Sequence, residues 1–330
     1  MLIYLAKRAV GLVVVLVVMS FIVFCLQSII PVDPARAVAG PTAPTETVEA
    51  VRKQLGLGDP LHVQYGHFLQ RLVQGDLGTS VRTRQPVTSD VLRYLPATIE
   101  LALSALILGA GLAALLGVIQ NTSRRPEGVR ILLVAVGSVP IFLSTLIFVY
   151  VFWFKLNWLP GAGRVSVRRF SGPSGFDLLD GFLVGKPEIS LDALLHLILP
   201  ALALALPIAV AVGRSLNSSL LDVMKQTYIR TARGKGLSET RIVLRHGLRN
   251  AASAPLAMIG LQVGLLFGNI LIVERVFAWP GLGLYAVQAF ASSDLPAVLG
   301  VSMVFGTFYI LINIVVEVSQ SLADPRISLA

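Results

Sequence analysis

The chain has 330 residues, 55% of them hydrophobic and 14% charged, with a mean hydropathy of +0.78. Soluble domains are about a quarter charged, so this composition excludes an ordinary soluble protein and points to an integral membrane protein. The net charge of +9 would suggest nucleic acid as a partner of a soluble domain, but its placement along the chain assigns it to membrane topology instead.

Crossing about 30 Å of hydrocarbon takes roughly 20 helical residues. Six apolar stretches are long enough: Ala9–Ile30, Thr98–Gln120, Ile131–Phe154, Leu191–Val212, Ala251–Val273 and Leu295–Val318. They are rich in valine, isoleucine and glycine. In lipid each segment must satisfy its own backbone hydrogen bonds, so they are expected as helices despite that content. Lys7-Arg8 ahead of the first stretch has the look of a secretory signal. The apolar run exceeds the roughly 7–15 residues of a signal core and no A-x-A site follows, so an uncleaved anchor is expected. The single cysteine, Cys25, lies in this span and reads as a small packing residue.

A polar segment, residues 31–95, follows. It opens with the Pro/Ala-rich turn region Pro31–Pro44. Thr45 can cap a helix through Leu57 with Val48, Val51 and Leu55 on one face. A second amphipathic pattern, His62–Val73, carries Val63, Phe68, Leu69 and Leu72, with Tyr65 and Phe68 expected at the membrane interface. Gly75-Asp76-Leu77-Gly78-Thr79 reads as a turn. Residues 155–190 are loop-rich, with Trp153 and Trp158 suited to an interfacial aromatic belt and the loop expected across one mouth of the bundle. Residues 274–294 contain Trp279-Pro280-Gly281-Leu282-Gly283, where proline and glycine break the helix. No internal repeat is visible, so an inverted-repeat transporter finds no support.

Charge fixes the expected orientation. With a cytoplasmic N-terminus, the inner side gathers Lys7, Arg8, Arg124, Arg125 and Arg130. It also holds Arg214, Lys225, Arg230, Arg233, Lys235, Arg241, Arg245 and Arg249 against only Asp222 and Glu239. The outer segments are nearly balanced. The positive-inside rule then places both termini in the cytoplasm.

The segment Tyr228–Asn250 stands out within that inner charge. Tyr228, Ile229, Ala232 and Leu237 alternate with Arg230, Arg233 and Lys235, giving a short helix with a mixed face suited to docking in a groove. Gly236 is placed to end it, through a backbone conformation or a close contact that a larger side chain would deny. Ser238 can cap a second helix, Glu239–Leu248, with Glu239 in its first turn, leading into span five. An ordinary solvated loop would share the charge but not this arrangement.

Arg230-Thr231-Ala232-xxx-Gly236 resembles the E-A-A-xxx-G loop of ATP-binding-cassette (ABC) importer permeases. The wider Thr227–Ser238 text, TYIRTARGKGLS, resembles the peptide/nickel branch, as a B-type permease subunit. Further matches run through nearly the whole chain. They begin with Asp33-Pro34-Ala35, LGLGDPLHVQYGHFL, GDLGTS at Gly75–Ser80, LPATIELAL at Leu95–Leu103 and SVPIFL at Ser138–Leu143. They continue with LPGAGR at Leu159–Arg164, HLILPALALAL at His196–Leu206, VERVFAWPGLG at Val273–Gly283 and DPRI at Asp324–Ile327. Arg230 stands where the general motif has glutamate, and His246-Gly247-Leu248-Arg249 replaces its terminal I-x-L-P. Both are typical of the peptide branch. Asp33 follows valine where the branch usually has glycine.

The resemblance implies an all-α membrane protein with the six transmembrane helices of the type I ABC importer permease fold and a small helical outer segment between helices one and two. Residues 1–30 would be the cytoplasmic N-terminus and first span, and 31–95 the outer segment. Residues 96–330 would form the permease core, with coupling loop 214–250 and outer loops 155–190 and 274–294. It implies a bacterial cell-membrane location and import of di- or oligopeptides, with nickel and glutathione as open alternatives. The expected partners are a second permease completing a heterodimeric pore, two ABC ATPase subunits, an extracytoplasmic solute-binding protein and membrane lipid, with no nucleic acid. ATP and Mg would bind the ATPase subunits. This chain would bind no cofactor or metal and have no catalytic residue, and it contains no G-x-x-x-x-G-K-[ST]. Tyr228, Ile229, Arg230, Thr231, Ala232, Arg233, Gly236 and Leu237 would couple the permease to the ATPase.

Polar groups at membrane depth either line a pathway or serve as interhelical glue. Asn269, Glu274 and Glu317 are the pathway candidates, ahead of Gln262 and Asn313. Glu274-Arg275 is expected at the outer mouth, pairing or gating. His196 is expected to pack rather than bind metal. A non-ABC secondary transporter or channel, with the basic loop as a topology signal only, is the competing reading, and a membrane enzyme would need a cluster of catalytic residues that the sequence lacks.

Overall fold

The computed structural model describes residues 2–29, 34–40, 43–54, 56, 58–122, 127–167, 170 and 172–323. Ile30, Pro31, Asp33, Leu55, Leu57, Arg124, Arg125 and the Asp324–Ile327 motif lie outside the described residues. Among the described residues helices account for nearly all the regular structure, and five of them are long and apolar enough to cross a membrane by length and composition.

The first, α1 (Leu2–Ile29), is apolar on every side beyond Lys7 and Arg8 and leans chiefly on α15 and α4. After the short α2 (Pro34–Ala39) and α3 (Thr45–Gln54), helix α4 (Leu61–Val73) lies against α1. The Tyr65 hydroxyl donates to the Val17 carbonyl at 3.2 Å and lies 3.0 Å from Ser20 Oγ, while its ring meets Phe21, Phe24 and Phe68. Tyr65 has an apolar body and a polar tip, so it can bridge a lipid-exposed helix and an interfacial one.

Two very long helices form the spine: α5 (Val87–Thr122) and α9 (Pro187–Val223). Small residues let them approach closely, the usual device where lipid offers no hydrophobic drive. A Cβ on Gly109 would sit 2.8 Å from Ile208 and 3.1 Å from the Ala205 carbonyl. One on Gly117 would sit 2.8 Å from Leu216. Ala113 lies between them, fully buried.

The stretch expected as a third continuous span arrives in pieces. Helix α6 (Glu127–Gly137) ends at Ser138-Val139, and α7 (Ile141–Phe148) restarts after Pro140 and continues as one π-helical stretch, Val149–Lys155. The cause is local. Proline pushes the residue before it out of the helical region and supplies no N–H, so the ladder stops there and begins again. The part after the break, Ile141–Lys155, is a short apolar helix rather than a full-length span. Trp153 and Trp158 are both exposed near its end.

The loop expected across one mouth contains α8 (Asp177–Leu183), which packs on α9. On the far side of α9, a short α10 (Thr227–Gly234) leads to α11 (Glu239–Ile242), a π turn over Val243–Gly247 and α12 (Leu248–Ala251). The long α13 (Ser253–Val276) follows, then α14 (Leu282–Ala291), a helix where the sequence suggested only a broken loop, and α15 (Leu295–Ala323). The main core lies between α5, α9 and α13, closed at one end by Phe277 and Trp279. A second cluster joins the start of α5 to α14 and α15 through Val87, Leu282, Tyr285 and Val301.

Candidate functional site

The basic segment after α9 is built from a few apolar anchors. Gln226 adopts an extended conformation and opens α10. Ile229 is fully buried and Ala232 nearly so, packed on Ile242 with Met224 and Leu237 at the edge. The apolar side of α10 is therefore used within the chain. Tyr228, Arg230, Thr231, Arg233 and Lys235 face outward. This revises the expectation of a mixed face: the exposed surface is aromatic and basic, while Ile229, Ala232 and Leu237 mount it.

Gly236 ends α10 with φ +78, a conformation that costs glycine little and side-chain-bearing residues more. Its N–H donates to Arg233 O at 2.9 Å, and Leu237 N–H reaches back to Ala232 O at 3.4 Å. This is a Schellman closure, with the apolar contact between Leu237 and Ala232 that accompanies it. A Cβ on Gly236 would meet nothing within 4 Å in this chain. Of the two reasons expected for this glycine, backbone conformation is the one the structure displays. Arg233 Nε and Nη2 donate to Glu239 Oε1 and Oε2 at 2.6 and 3.1 Å, a bidentate bridge across the turn. That hydrogen bonding raises the Arg233 pKa and lowers that of Glu239, so both stay charged. Ser238 stands at the head of α11 but makes no side-chain cap bond.

Beyond the turn, Ile242 and Val243 are fully buried. Val243 joins Leu216 and Leu220 of α9 and Ala251 of α12. A Cβ on Gly247 would already stand 3.0 Å from Leu220. The exposed α10 is thus connected by packed side chains to the C-terminal end of α9 and, through α12, to α13.

The three pathway candidates are not brought together. Glu274 is fully buried in the last turn of α13. Thr98 Oγ1 donates to its Oε1 at 2.7 Å, and the Leu284 N–H donates to its Oε2 at 2.9 Å. Glu274 is therefore enclosed by α5, α13 and the first turn of α14, whose free N–H groups and dipole favour a carboxylate. It anchors a helix junction and does not face a channel within this chain. Arg275 beside it is exposed. Sequence reasoning missed this burial. The available signal was Gly281 and Gly283, whose added side chains would collide with the Glu274 carboxylate. Asn269 is half-buried on α13 and makes no side-chain hydrogen bond among the described residues. Glu317, towards the other end of α15, forms an ion pair with Arg8 of α1.

A larger polar network, also missed, lies beside Glu274. Trp279 Nε1 donates to the Ala97 carbonyl at 3.0 Å, and the Arg164 guanidinium stands over its ring at 5.6 Å. Arg164 bonds Glu100 Oε2 at 2.5 Å and lies 3.2 Å from Asp177. Two carboxylates share one guanidinium. Burial, partly offset by Arg164 and reinforced by Glu100 and Asp180, pushes the Asp177 carboxyl up to about 6. His196 Nδ1 lies 2.8 Å from the Asp192 carbonyl, one turn earlier on α9.

Comparison with known proteins bears on this arrangement. Residues 105–329 match the family described as binding-protein-dependent transport system inner membrane component, and residues 1–102 match the corresponding N-terminal family. The probable D,D-dipeptide transport system permease protein DdpB of Escherichia coli K12 is 40% identical over 328 residues, 98% of this chain and 96% of the relative. The glutathione transport system permease protein GsiC of Salmonella typhimurium is 37% identical over 332 residues, 99% of each chain. A chain of the MetNI methionine ABC transporter, in inward-facing conformations, superposes with a TM-score of 0.51. It covers 71% of this chain and 96% of that one at 14% identity, a likeness of fold alone.

Proposed function

Because the chain belongs to the family of binding-protein-dependent transport system inner membrane components, we propose that it moves di- or oligopeptides, or a comparably small solute such as glutathione, into the cytoplasm. It is a multi-pass inner-membrane permease of the ABC importer class and is not itself an ATPase. Full-length similarity to dipeptide and glutathione permeases supports the solute class. The positive-inside distribution supports an orientation with both termini in the cytoplasm and α10 on the cytoplasmic side. Two ATPase subunits carrying ATP and Mg, a second permease and an extracytoplasmic binding protein complete the assembly in this reading.

The observation that carries the coupling role is the outward face of α10 on its packed mount. A helix that must transmit displacement needs two properties: exposed groups for the partner and a stiff connection to the spans. Tyr228, Arg230, Thr231 and Arg233 supply the first, with Gly236 fixing the end of the helix. Ile229, Ala232 and Leu237 hold α10 on Ile242, and Val243 carries the connection to Leu220. Nucleotide-driven closure of the ATPase pair would shift α10, and the bundle responds only insofar as those contacts differ between its inward- and outward-open states. The test is co-purification in mild detergent with the neighbouring ATPases and second permease, followed by ATPase assay with peptide-loaded binding protein. The expected result is co-elution and stimulated hydrolysis. Absence of both, with a correctly inserted chain, overturns the reading.

A further inference from the structure

The segment between α4 and α5 ends in a turn closed by the antiparallel bridge Thr79–Pro86. Two buried carboxylates hold it. Asp294 accepts from Ser80 Oγ at 2.5 Å and from the Arg82 backbone N–H at 3.2 Å. Asp90 accepts from Thr83 Oγ1 at 2.5 Å and from the Tyr285 hydroxyl at 3.0 Å. At the tip Arg84 sits at φ +56, a left-handed conformation uncommon for a residue with a side chain. The turn is therefore fixed on α14 and the start of α15, not left as a loose connection.

What it displays is positive charge. Arg82, Arg84 and, on α5, Arg93 are exposed. The Arg82 guanidinium lies 5.4 Å from the centre of the Tyr285 ring and the Arg93 guanidinium 5.9 Å from that of Tyr94. Those two rings stack on each other at 5.1 Å. Two arginines are thus steered by one aromatic pair, which orients a cation without neutralising it. None of the three arginines forms an ion pair among the described residues, whereas Arg164 at the same end of the bundle has two carboxylates. With Asp90 and Asp294 buried beneath them, the three exposed arginines leave the surface of the turn basic, and an opposing acidic surface would pair with them at little ordering cost.

We propose that Arg82, Arg84 and Arg93 form a docking surface for an acidic patch on the extracytoplasmic solute-binding protein. This rests on the transport reading and orientation given above, which place the turn on the outer side. Complementary charge of this kind acts mainly on encounter and on salt dependence.

The experiment uses the assembled complex and its binding protein. ATPase rate is measured against binding-protein concentration at two ionic strengths for wild type, for the triple variant Arg82→Gln, Arg84→Gln, Arg93→Gln, and for the triple lysine variant. In the glutamine variant the half-saturating concentration should rise about tenfold, equivalent to about 1.4 kcal/mol. Its saturating rate should be retained and its salt dependence weakened. The lysine variant should stay within a few-fold of wild type. An unchanged half-saturation overturns the proposal. So does loss of the second permease on purification, which would place the patch between permeases. An altered solute requirement at unchanged half-saturation also overturns it, by assigning the arginines to the solute. If wild type itself gives no response to its binding protein, it is the transport reading that fails, and this proposal with it.

Discussion

At the scale of single residues, Gly236 separates what the sequence discloses from what only the fold does. A glycine after a short helix announces a C-terminal closure by itself, because glycine adopts the left-handed closing conformation at the least cost. The structure adds that the space around it is open. Gly236→Val should lose about 1–3 kcal/mol of local stability through backbone strain alone, and ATPase stimulation in the complex should fall with it. Gly236→Asn, which tolerates that conformation, should keep most of the stimulation. If asparagine is as damaging as valine while the complex still assembles, close approach of a partner is the cause instead. Ile229 and Glu274 teach the opposite lesson. Each is ambiguous in sequence, an apolar residue in a basic loop and an acid at a helix end. Their burial depends on which distant elements meet there, Ile242 for one and Thr98 with α14 for the other. For Glu274 the glycines at 281 and 283 hint at a close approach without naming the group that makes it, and for Ile229 no local pattern gives even that.

At the scale of elements, the long spans were legible because about 20 apolar residues admit few other readings. The interruption at Pro140 was legible in principle, since a proline inside a helical run restricts its predecessor, but continuous hydropathy outweighed it. Helices α8 and α14 were hidden by the glycines and prolines that flank them. What fixes α8 is Arg164, shared between Glu100 of α5 and Asp177 of α8. Burial outweighs the opposing charge of Arg164, to which Glu100 holds the shorter contact, and raises the Asp177 pKa from 3.8 to about 6. A carboxyl whose folded pKa exceeds its unfolded value binds the proton more tightly when folded. Its contribution to stability is thus full below about pH 4 and is lost as pH rises through about 6. The segment around α8 should accordingly lose protection as pH climbs across that window, read by hydrogen exchange of residues 174–186 in the purified complex. Asp177→Asn should flatten that dependence. A profile as steep as wild type in the variant would assign the titration to another group.

At the scale of the whole molecule, the α5–α9 spine and α13 form a packed body, while α1 stands apart with most of its surface exposed within this chain. Apolar surface gives α1 no reason to prefer protein over lipid, so its place must come from specific contacts. Two such sets stand out among the described residues. Towards one end, Tyr65 and its aromatic neighbours tie α1 to α4. Towards the other, Arg8 pairs with Glu317 of α15. The second explains a charged residue within an otherwise apolar helix without invoking a solute pathway: each ion is tolerated because the other is there. Reversing either one alone, Arg8→Glu or Glu317→Arg, brings like charges together and should lower the thermal midpoint of the complex. The effect should be on the order of 1 kcal/mol, or about 2–4 °C. The exchanged double variant should recover most of the loss. A double variant no better than the worse single would show that the pair does not hold α1 in place. Glu317→Gln gives the separating readout for transport. A residue acting only as a clasp changes stability in step with activity, whereas one lining the pathway would change the solute requirement while the midpoint stayed put.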